Sequence, residues 1–205
     1  MSGSGYALPY MVQKDSGGSA SNSTMTRISI DTPCYFITSV THDRLPIFRT
    51  DKLKDIACNA LNEARRSADL LYFGYAIMPD HFHIVTGGKR SPSETLRYLN
   101  GVTAKRVLDY LKENEFTASL LKLRETVKER GYKHSVWEHH SDKFLLTSED
   151  MFMQKIDYIH NNPVKDGLVE KPEDYLYSST RIWKKNSLEN EPLDMDLDQI
   201  YWRRR

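Results

Sequence analysis

The order of strand-like and helix-like segments predicts an α+β domain in which helices cover an antiparallel sheet. Three observations carry this prediction: a β-branched and aromatic run at 34–40, two apolar runs joined by a tight turn at 79–80, and capped helical patterns on either side of them. The 205 residues suffice for one domain with a sizeable core, and 39% hydrophobic and 28% charged residues are ordinary for a globular protein. No run of eighteen apolar residues occurs, so no membrane span is expected.

The first strand and the first helix are adjacent in the sequence. Cys34–Val40 is rich in aromatic and β-branched residues, which favour a strand. Thr50 or Asp51 is a suitable cap for a helix, because the apolar residues between 53 and 64 recur at helical spacing.

A hairpin follows this helix. Residues 70–78 are almost wholly apolar, which predicts a buried strand, and residues 81–85 form a second short apolar run. Only Pro79 and Asp80 separate the two runs, and such a short connection joins antiparallel neighbours.

The second half contains two further predicted helices. Ser91 and Glu94 form a capping box with proline at the first helical position, and Leu99, Val107 and Leu111 belong to the apolar side of this helix. A basic, partly helical connector spans 113–134.

The last sheet and helix segments follow this connector. Residues 135–138 and 143–147 are short apolar segments of strand or sheet-edge character. Ser148 caps a last major helix, from Glu149 to about Asn162, and Pro163 is expected to end it.

The two chain ends differ in composition from the predicted domain at 25–183. Residues 1–24 are rich in Gly and Ser, which indicates a disordered leader or a cloning-derived tail, with Met25 as a candidate internal start. Residues 184–205 are predicted to form an acidic and then basic C-terminal tail. Two cysteines do not form a disulfide framework, so a reducing cytoplasm is expected.

The net charge of +1 does not by itself indicate a nucleic-acid binder, but charge is unevenly distributed. The connector between 120 and 135 is basic, whereas 189–198 carries five acidic residues and no basic ones. This pattern is compatible with a phosphate-binding surface and a tail lying across it. Solvated helix faces and a frayed end explain the pattern equally well.

His81 and His83 flank Phe82 on the predicted third strand. Alternate residues of a strand point to the same face, so both imidazoles share a face while Phe82 anchors the other. Two adjacent imidazoles can hold a metal, although a pair of this kind is more often part of a half-exposed surface. Asp80 is either a turn residue or a hydrogen-bond partner that orients one histidine.

Tyr158 and Asn162 are four residues apart on the last helix and therefore project from one face. An amide oxygen one turn from a phenol can complete a metal site that two imidazoles begin. Packing for Tyr158 and a helix-ending role for Asn162 are the alternatives. His160 and Asn161 are rival ligands that face elsewhere on the helix, and a loop or strand-edge role is favoured for three other histidines, His134, His139 and His140.

These two segments carry a resemblance to a known family. His81-Phe82-His83 resembles the His-hydrophobic-His motif of the HUH endonucleases. Tyr158-Ile-His-Asn-Asn-Pro-Val-Lys-Asp-Gly-Leu-Val169 resembles the nucleophile helix of their single-tyrosine transposases, above all the REP-associated tyrosine transposases. The similarity spans about Tyr35 to Trp183 and includes Met78-Pro79-Asp80, the stretch 137–142 and the stretch 172–179.

The resemblance implies a ferredoxin-like antiparallel sheet with helices packed on it, the HUH endonuclease fold. It also implies that His81, His83 and Asn162 bind Mg²⁺ or Mn²⁺ and that Tyr158 attacks single-stranded DNA beside a REP-like hairpin. The product would be a 5′-phosphotyrosine intermediate and a free 3′-hydroxyl, which can later be rejoined.

Other expectations follow from this implied activity. The protein is expected in the cytoplasm at the nucleoid, as a monomer in preference to a dimer. Tyr132, Tyr175 and Trp183 are candidates for base stacking, with packing the favoured role for each. Candidate phosphate contacts are Arg97, Lys105, Arg106, Lys122, Arg124, Lys128, Arg130, Lys133, Lys155 and Lys165.

Two other functions remain open. One is a hairpin-DNA-binding protein without catalysis, and the other is a metallohydrolase that uses His81 and His83 with a water nucleophile. The hydrolase would release free DNA ends without a covalent protein–DNA adduct.

Overall fold

The computed structural model describes residues 33–125, 135–138 and 141–200, with only the backbone described at 125. Within these residues, four strands form one antiparallel sheet in the order β2-β3-β1-β4. The chain order is β1 (Cys34–Val40), α1 (Asp51–Ala68), β2 (Leu71–Ile77), β3 (His81–Gly87), α2 (Pro92–Glu113), α3 (Thr117–Glu125), β4 (Asp142–Leu146), α4 (Glu149–Lys165) and α5 (Thr180–Trp183). Strands and long helices follow the ferredoxin-like β-α-β-β-α-β pattern, so the predicted α+β class is confirmed.

The helix starts lie at the predicted residues because their capping side chains bind the first free backbone groups. The Thr50 side chain accepts a hydrogen bond from the N–H of Leu53. Ser91 and Glu94 bind each other's backbone N–H groups, which completes the capping box. Ser148 accepts the N–H of Met151 at the start of α4.

The sheet lies between two helical layers. On one face Tyr72 donates to the carbonyl of Leu61 in α1, and Ser39 donates to the side chain of Asn100 in α2. On the other face the ring of Phe73 packs against Phe152 of α4. The sheet side chains on these two faces form the core, and the α4 face also carries the candidate site.

The prediction that Pro163 ends the last helix is wrong, since α4 continues to Lys165. The missing N–H of Pro163 deprives only the Ile159 carbonyl of its usual helical partner. Gly167, at a φ of 68°, donates to the carbonyl of Val164, while the N–H of Leu168 binds the carbonyl of Pro163. This pair of bonds is a Schellman ending, so the glycine terminates the helix.

Residues 135–138 do not form the strand that was one of the predicted alternatives. Trp137 makes a single antiparallel bridge with Thr41, and its indole N–H donates to the carbonyl of Asn100. The ring packs on Phe48 and Phe82, so the segment serves as a cover for the α1–α2 side of the sheet.

The acidic segment after 183 is packed against the domain over residues 184–200. Leu193, Leu197 and Ile200 are buried in the same core. The Asp196 carboxylate accepts the N–H of Tyr72 and pairs with Arg65, while its backbone N–H binds the Tyr72 carbonyl. This segment therefore lies along β2, at the sheet edge opposite β4. The predicted leader at 1–24 and the basic end at 203–205 lie outside the described residues.

None of the helices in the described ranges is long and apolar enough to cross a membrane.

Gly74 sets how closely α4 approaches β2. A Cβ atom at this position would overlap the Cδ1 methyl group of Ile156, which is fully buried. We expect Gly74→Ala to lower the free energy of unfolding by about 1–3 kcal/mol through overpacking. Ile156→Val removes the overlapping methyl group, so the double variant should be less destabilised than the sum of the two single changes. Urea unfolding of the four proteins measures this coupling.

Gly101 in α2 provides the matched control for this experiment. Nothing lies within 4 Å of a Cβ built there. Gly101→Ala should therefore raise the free energy of unfolding by about 0.5–1 kcal/mol through helix propensity. Additive effects of Gly74→Ala and Ile156→Val would contradict the steric explanation.

Candidate active site

Two imidazoles converge on the α4 face of β3. His81 and His83 share this face, as their spacing predicts, and their exposed fractions are only 8% and 3%. The two Nε2 atoms lie 3.1 Å apart. The strand turns Phe82 to the opposite face, where its ring contacts Trp137.

Each histidine is held through its other ring nitrogen. The Nδ1 of His81 lies 2.6 Å from Oδ1 of Asp80, and because a carboxylate only accepts, His81 donates this hydrogen bond. Arg44 binds the second Asp80 oxygen at 3.0 Å. Partial burial opposes ionisation of Asp80, but the His81 hydrogen bond and the Arg44 charge outweigh it, so the pKa of this carboxyl lies below its usual value. Thr38 Oγ1 lies 2.9 Å from Nδ1 of His83.

Burial keeps His83 neutral. Removal from water lowers its pKa to about 3, with further contributions from the nearby charges of His81 and Lys155. A neutral imidazole is the form that binds a metal. Above pH 5 this histidine therefore needs no deprotonation before it can act as a ligand.

The distance between the two Nε2 atoms suits a shared cation. Ligand atoms about 2.1 Å from a metal at neighbouring octahedral positions lie roughly 3.0 Å apart. If both Nδ1 atoms carry protons, both Nε2 lone pairs face each other and a cation stabilises them. In the other tautomer, Thr38 donates to Nδ1 of His83, whose Nε2–H donates to His81. This second arrangement holds the same ring orientation without a metal.

Tyr158 of α4 lies directly beside this pair. Its ring centre is 5.3 Å from that of His83 and 5.9 Å from that of Phe36, and 38% of the residue is exposed. Phe36 in turn stacks on His83 at 5.5 Å. The Tyr158 ring is therefore held by packing against Phe36 and His83, while the exposed part of the residue remains open to a ligand.

Two lysines from α4 flank the phenol ring. The Nζ of Lys155 lies 5.6 Å from the centre of the Tyr158 ring, and the Nζ of Lys165 lies 5.1 Å from it. Lys155 is also held over Phe36 at 4.7 Å. The exposed end of the site is therefore positively charged.

Asn162 lies on the same helix face, one turn after Tyr158, and is buried. Its amide nitrogen donates to the Tyr158 carbonyl at 3.3 Å, which leaves Oδ1 as the atom that can bind a metal. The rival ligands are engaged elsewhere. The Nε2 of His160 lies 2.9 Å from the Ser179 hydroxyl, and Asn161 donates to the Asp157 carbonyl.

The other predicted phosphate contacts lie apart from this site or outside the described residues. On α2, Lys105 pairs with Asp109, Arg106 makes two hydrogen bonds with Glu63, and Arg97 lies over the ring of Tyr98. Helix α3 carries two more of these residues, Lys122 and Arg124. Outside the described residues lie Lys128, Arg130, Tyr132, Lys133, His134, His139 and His140.

Tyr175 and Trp183 are packing residues, as favoured from the sequence. Both are buried, and they donate to the carbonyls of Ile77 and Phe73 respectively.

Sequence reasoning missed two groups of residues. Thr38 and Phe36 become visible only once the β1–β3 register is known, although alternation along β1 places them on one face. The second group is a further candidate metal cluster formed by His42, Asp43 and Glu138, whose ligand atoms lie within 4.8 Å of one another. His42 and Asp43 are adjacent, but Glu138 lies 95 residues from Asp43 in the sequence, so the cluster forms no recognisable motif.

Comparisons with known proteins agree with the resemblance. No family model matches the chain. A curated Haemophilus influenzae protein named "Putative REP-associated tyrosine transposase" is 31% identical over 148 residues, which cover 71% of this chain and 78% of that protein. The chain belongs to the REP-associated tyrosine transposase family. The predicted family is thereby confirmed.

A solved structure supports the same fold. It is described as "Structure of the REP associates tyrosine transposase bound to a REP hairpin", and it matches 80% of this chain and 87% of its own with a TM-score of 0.55 and 17% identity. The fold of this chain is therefore the HUH fold seen in that transposase, as predicted.

The hydrogen bonds to Nδ1 are expected to control metal affinity. Thr38→Val and Asp80→Asn each release one imidazole from its orientation, so each should weaken Mn²⁺ binding about 10–100-fold. Titration calorimetry of the apo protein measures this change. Thr38→Ser keeps the hydroxyl group and should bind Mn²⁺ like the wild type. If Thr38→Val and Asp80→Asn both bound Mn²⁺ with wild-type affinity, Mn²⁺ would bind elsewhere, for example at His42.

Proposed function

We propose that this protein is a metal-dependent endonuclease and strand transferase that acts on single-stranded DNA beside hairpins. The observation that carries the proposal is the position of Tyr158, whose ring contacts His83 at the point where two imidazole Nε2 atoms converge. Family membership supports a DNA-processing enzyme of the transposase type.

In the proposed reaction, the Tyr158 oxygen forms a bond to the scissile phosphorus while the bond from phosphorus to the 3′-oxygen breaks. The phenolic proton is lost to solvent, and the leaving 3′-oxygen takes up a proton. The products are a 5′-phosphotyrosine and a free 3′-hydroxyl. Because the covalent link conserves the phosphodiester energy, attack by a 3′-hydroxyl can reverse the step and join strands.

His81, His83 and Asn162 would hold the divalent cation, with two nitrogens and one amide oxygen as ligands. Imidazole ligands favour Mn²⁺ over Mg²⁺, and both ions belong to the proposal. When bound, the cation would polarise the non-bridging phosphate oxygens and stabilise the leaving oxygen.

The surrounding side chains prepare the site for this anionic substrate. Asp80 and Thr38 orient the two imidazoles through Nδ1. Lys155 and Lys165 place positive charge beside the phenol, where it stabilises both an approaching phosphate and a developing phenolate.

Hairpin recognition is proposed by analogy with the relative whose structure was solved with a REP hairpin. The basic residues of α2 and α3 and the connector after α3 would contact phosphates and set the register of the hairpin. The protein is proposed to act as a monomer at the nucleoid.

A covalent-adduct assay tests this function. With hairpin-bearing single-stranded DNA and Mn²⁺, the wild type should yield a protein–DNA adduct on a denaturing gel, and chelation of the metal should abolish it. Tyr158→Phe should reduce adduct formation by at least about a thousandfold, because it removes the nucleophile. Tyr110→Phe, a change on the opposite helical layer where the ring packs on Phe116, is the matched control and should react normally.

Three outcomes would contradict the proposal. An adduct that persists in Tyr158→Phe would assign the nucleophile to another residue. Metal-dependent cleavage without any adduct would favour the hydrolase, and hairpin binding without cleavage would favour the non-catalytic binding protein.

A further inference from the structure

Phe144 presents an exposed aromatic ring beside the candidate active site. It lies on β4, the edge strand of the sheet, directly opposite Phe36 in the strand register. This residue is 49% exposed, whereas Phe36 is buried. Phe144 therefore faces the same side of the sheet as His83 and α4.

Phe144 belongs to a continuous aromatic and cationic surface. Its ring centre is 6.3 Å from that of Phe36, which contacts Tyr158 at 5.9 Å. The Nζ of Lys155 lies 5.1 Å from the Phe144 ring and 5.6 Å from the Tyr158 ring. Among the described residues, no carboxylate lies within ion-pairing distance of Lys155 or Lys165.

This combination of an exposed ring and an adjacent ammonium group suits an unpaired nucleotide. An exposed ring offers a flat apolar face, and the adjacent ammonium group offers positive charge, which are the two features that bind a nucleobase and its phosphate. A carbohydrate or a purely apolar partner would use only one of them.

We propose that Phe144 is a stacking platform for one unpaired base of the DNA substrate, with Lys155 contacting a phosphate of the same strand. The inference rests on the function proposed above, because it needs single-stranded DNA at Tyr158. Neighbouring strands are about 4.8 Å apart, so Phe144 lies roughly 10 Å across the sheet from Val85, its counterpart on β3. His83 is two residues, or about 7 Å, along β3 from Val85, which places Phe144 roughly 12 Å from His83. The stacked base is therefore about one or two nucleotides from the scissile phosphate.

Leu145 provides a matched control within the same strand. It is exposed to the same degree, at 50%, but its side chain points to the opposite face of β4. A substitution that acts by destabilising β4 should lower DNA affinity at either position, whereas loss of base stacking beside Tyr158 should follow from a change at Phe144 alone.

The test measures the affinity for a hairpin-bearing single-stranded DNA by fluorescence anisotropy, with Tyr158→Phe as the background to prevent cleavage. Phe144→Ala should weaken binding about tenfold, within the range of base–aromatic stacking. Leu145→Ala should bind normally, and Phe144→Trp should restore affinity. Abasic sites placed in turn through the unpaired flank should identify one position with the same tenfold loss, and this loss should disappear in Phe144→Ala.

The proposal would be overturned if a folded Phe144→Ala variant bound the DNA as tightly as the wild type. It would also be overturned if the effects of Phe144→Ala and of every abasic site on affinity were additive. The wild type could instead sediment as a dimer and Phe144→Ala as a monomer, with no loss of DNA affinity. That result would assign the surface to contact with a second copy of the chain. The adduct assay separates the two proposals. An adduct in the wild type together with unchanged DNA affinity of Phe144→Ala removes the platform alone, whereas Phe144-dependent binding without an adduct removes the proposed chemistry alone.

Discussion

The antiparallel register between β1 and β3 is the constraint on which the candidate site depends. It pairs Thr38 with His83 and thereby supplies the hydrogen bond that orients one imidazole. The same register places Phe36 under the ring of Tyr158. A slip of one residue would turn both histidines into the α1–α2 core and expose Phe82 on the other face. Burial of Phe82 and Ile84 therefore stabilises the fold and the site orientation together.

Helix α4 completes the site because its position and its length are both determined by small residues. Gly74 allows close contact with β2, and Gly167 ends the helix after Lys165. As a result Tyr158, Asn162 and Lys165 remain on one continuous helix, with the phenol above the His83 ring. Lys155 and Lys165 make the open side of the site positively charged, which suits an anionic phosphate.

Local patterns predicted the parts of this site that lie within one element. Strand alternation placed His81 and His83 together, and helical spacing paired Tyr158 with Asn162. Contacts between elements were not predictable in this way, since Thr38 requires the β1–β3 register. The helix end was wrongly predicted at Pro163, because the rule that proline ends a helix does not consider the hydrogen bonds that Gly167 and Leu168 make to the last turn. The packing of the segment at 184–200 was not predictable from its acidic composition, because it depends on an ion pair between Asp196 and Arg65 of a distant helix.

The described residues offer two candidate metal clusters, and they differ in environment. His81 and His83 are buried and each is oriented by a hydrogen bond to Nδ1, whereas His42 and Asp43 lie in a short, more exposed 3-10 turn. Diffraction at the manganese absorption edge from crystals grown with Mn²⁺ discriminates between them. If His81, His83 and Asn162 bind the metal, an anomalous peak is expected between the two Nε2 atoms, within bonding distance of Asn162 Oδ1. A peak only at the cluster of His42, Asp43 and Glu138 would contradict this ligand assignment.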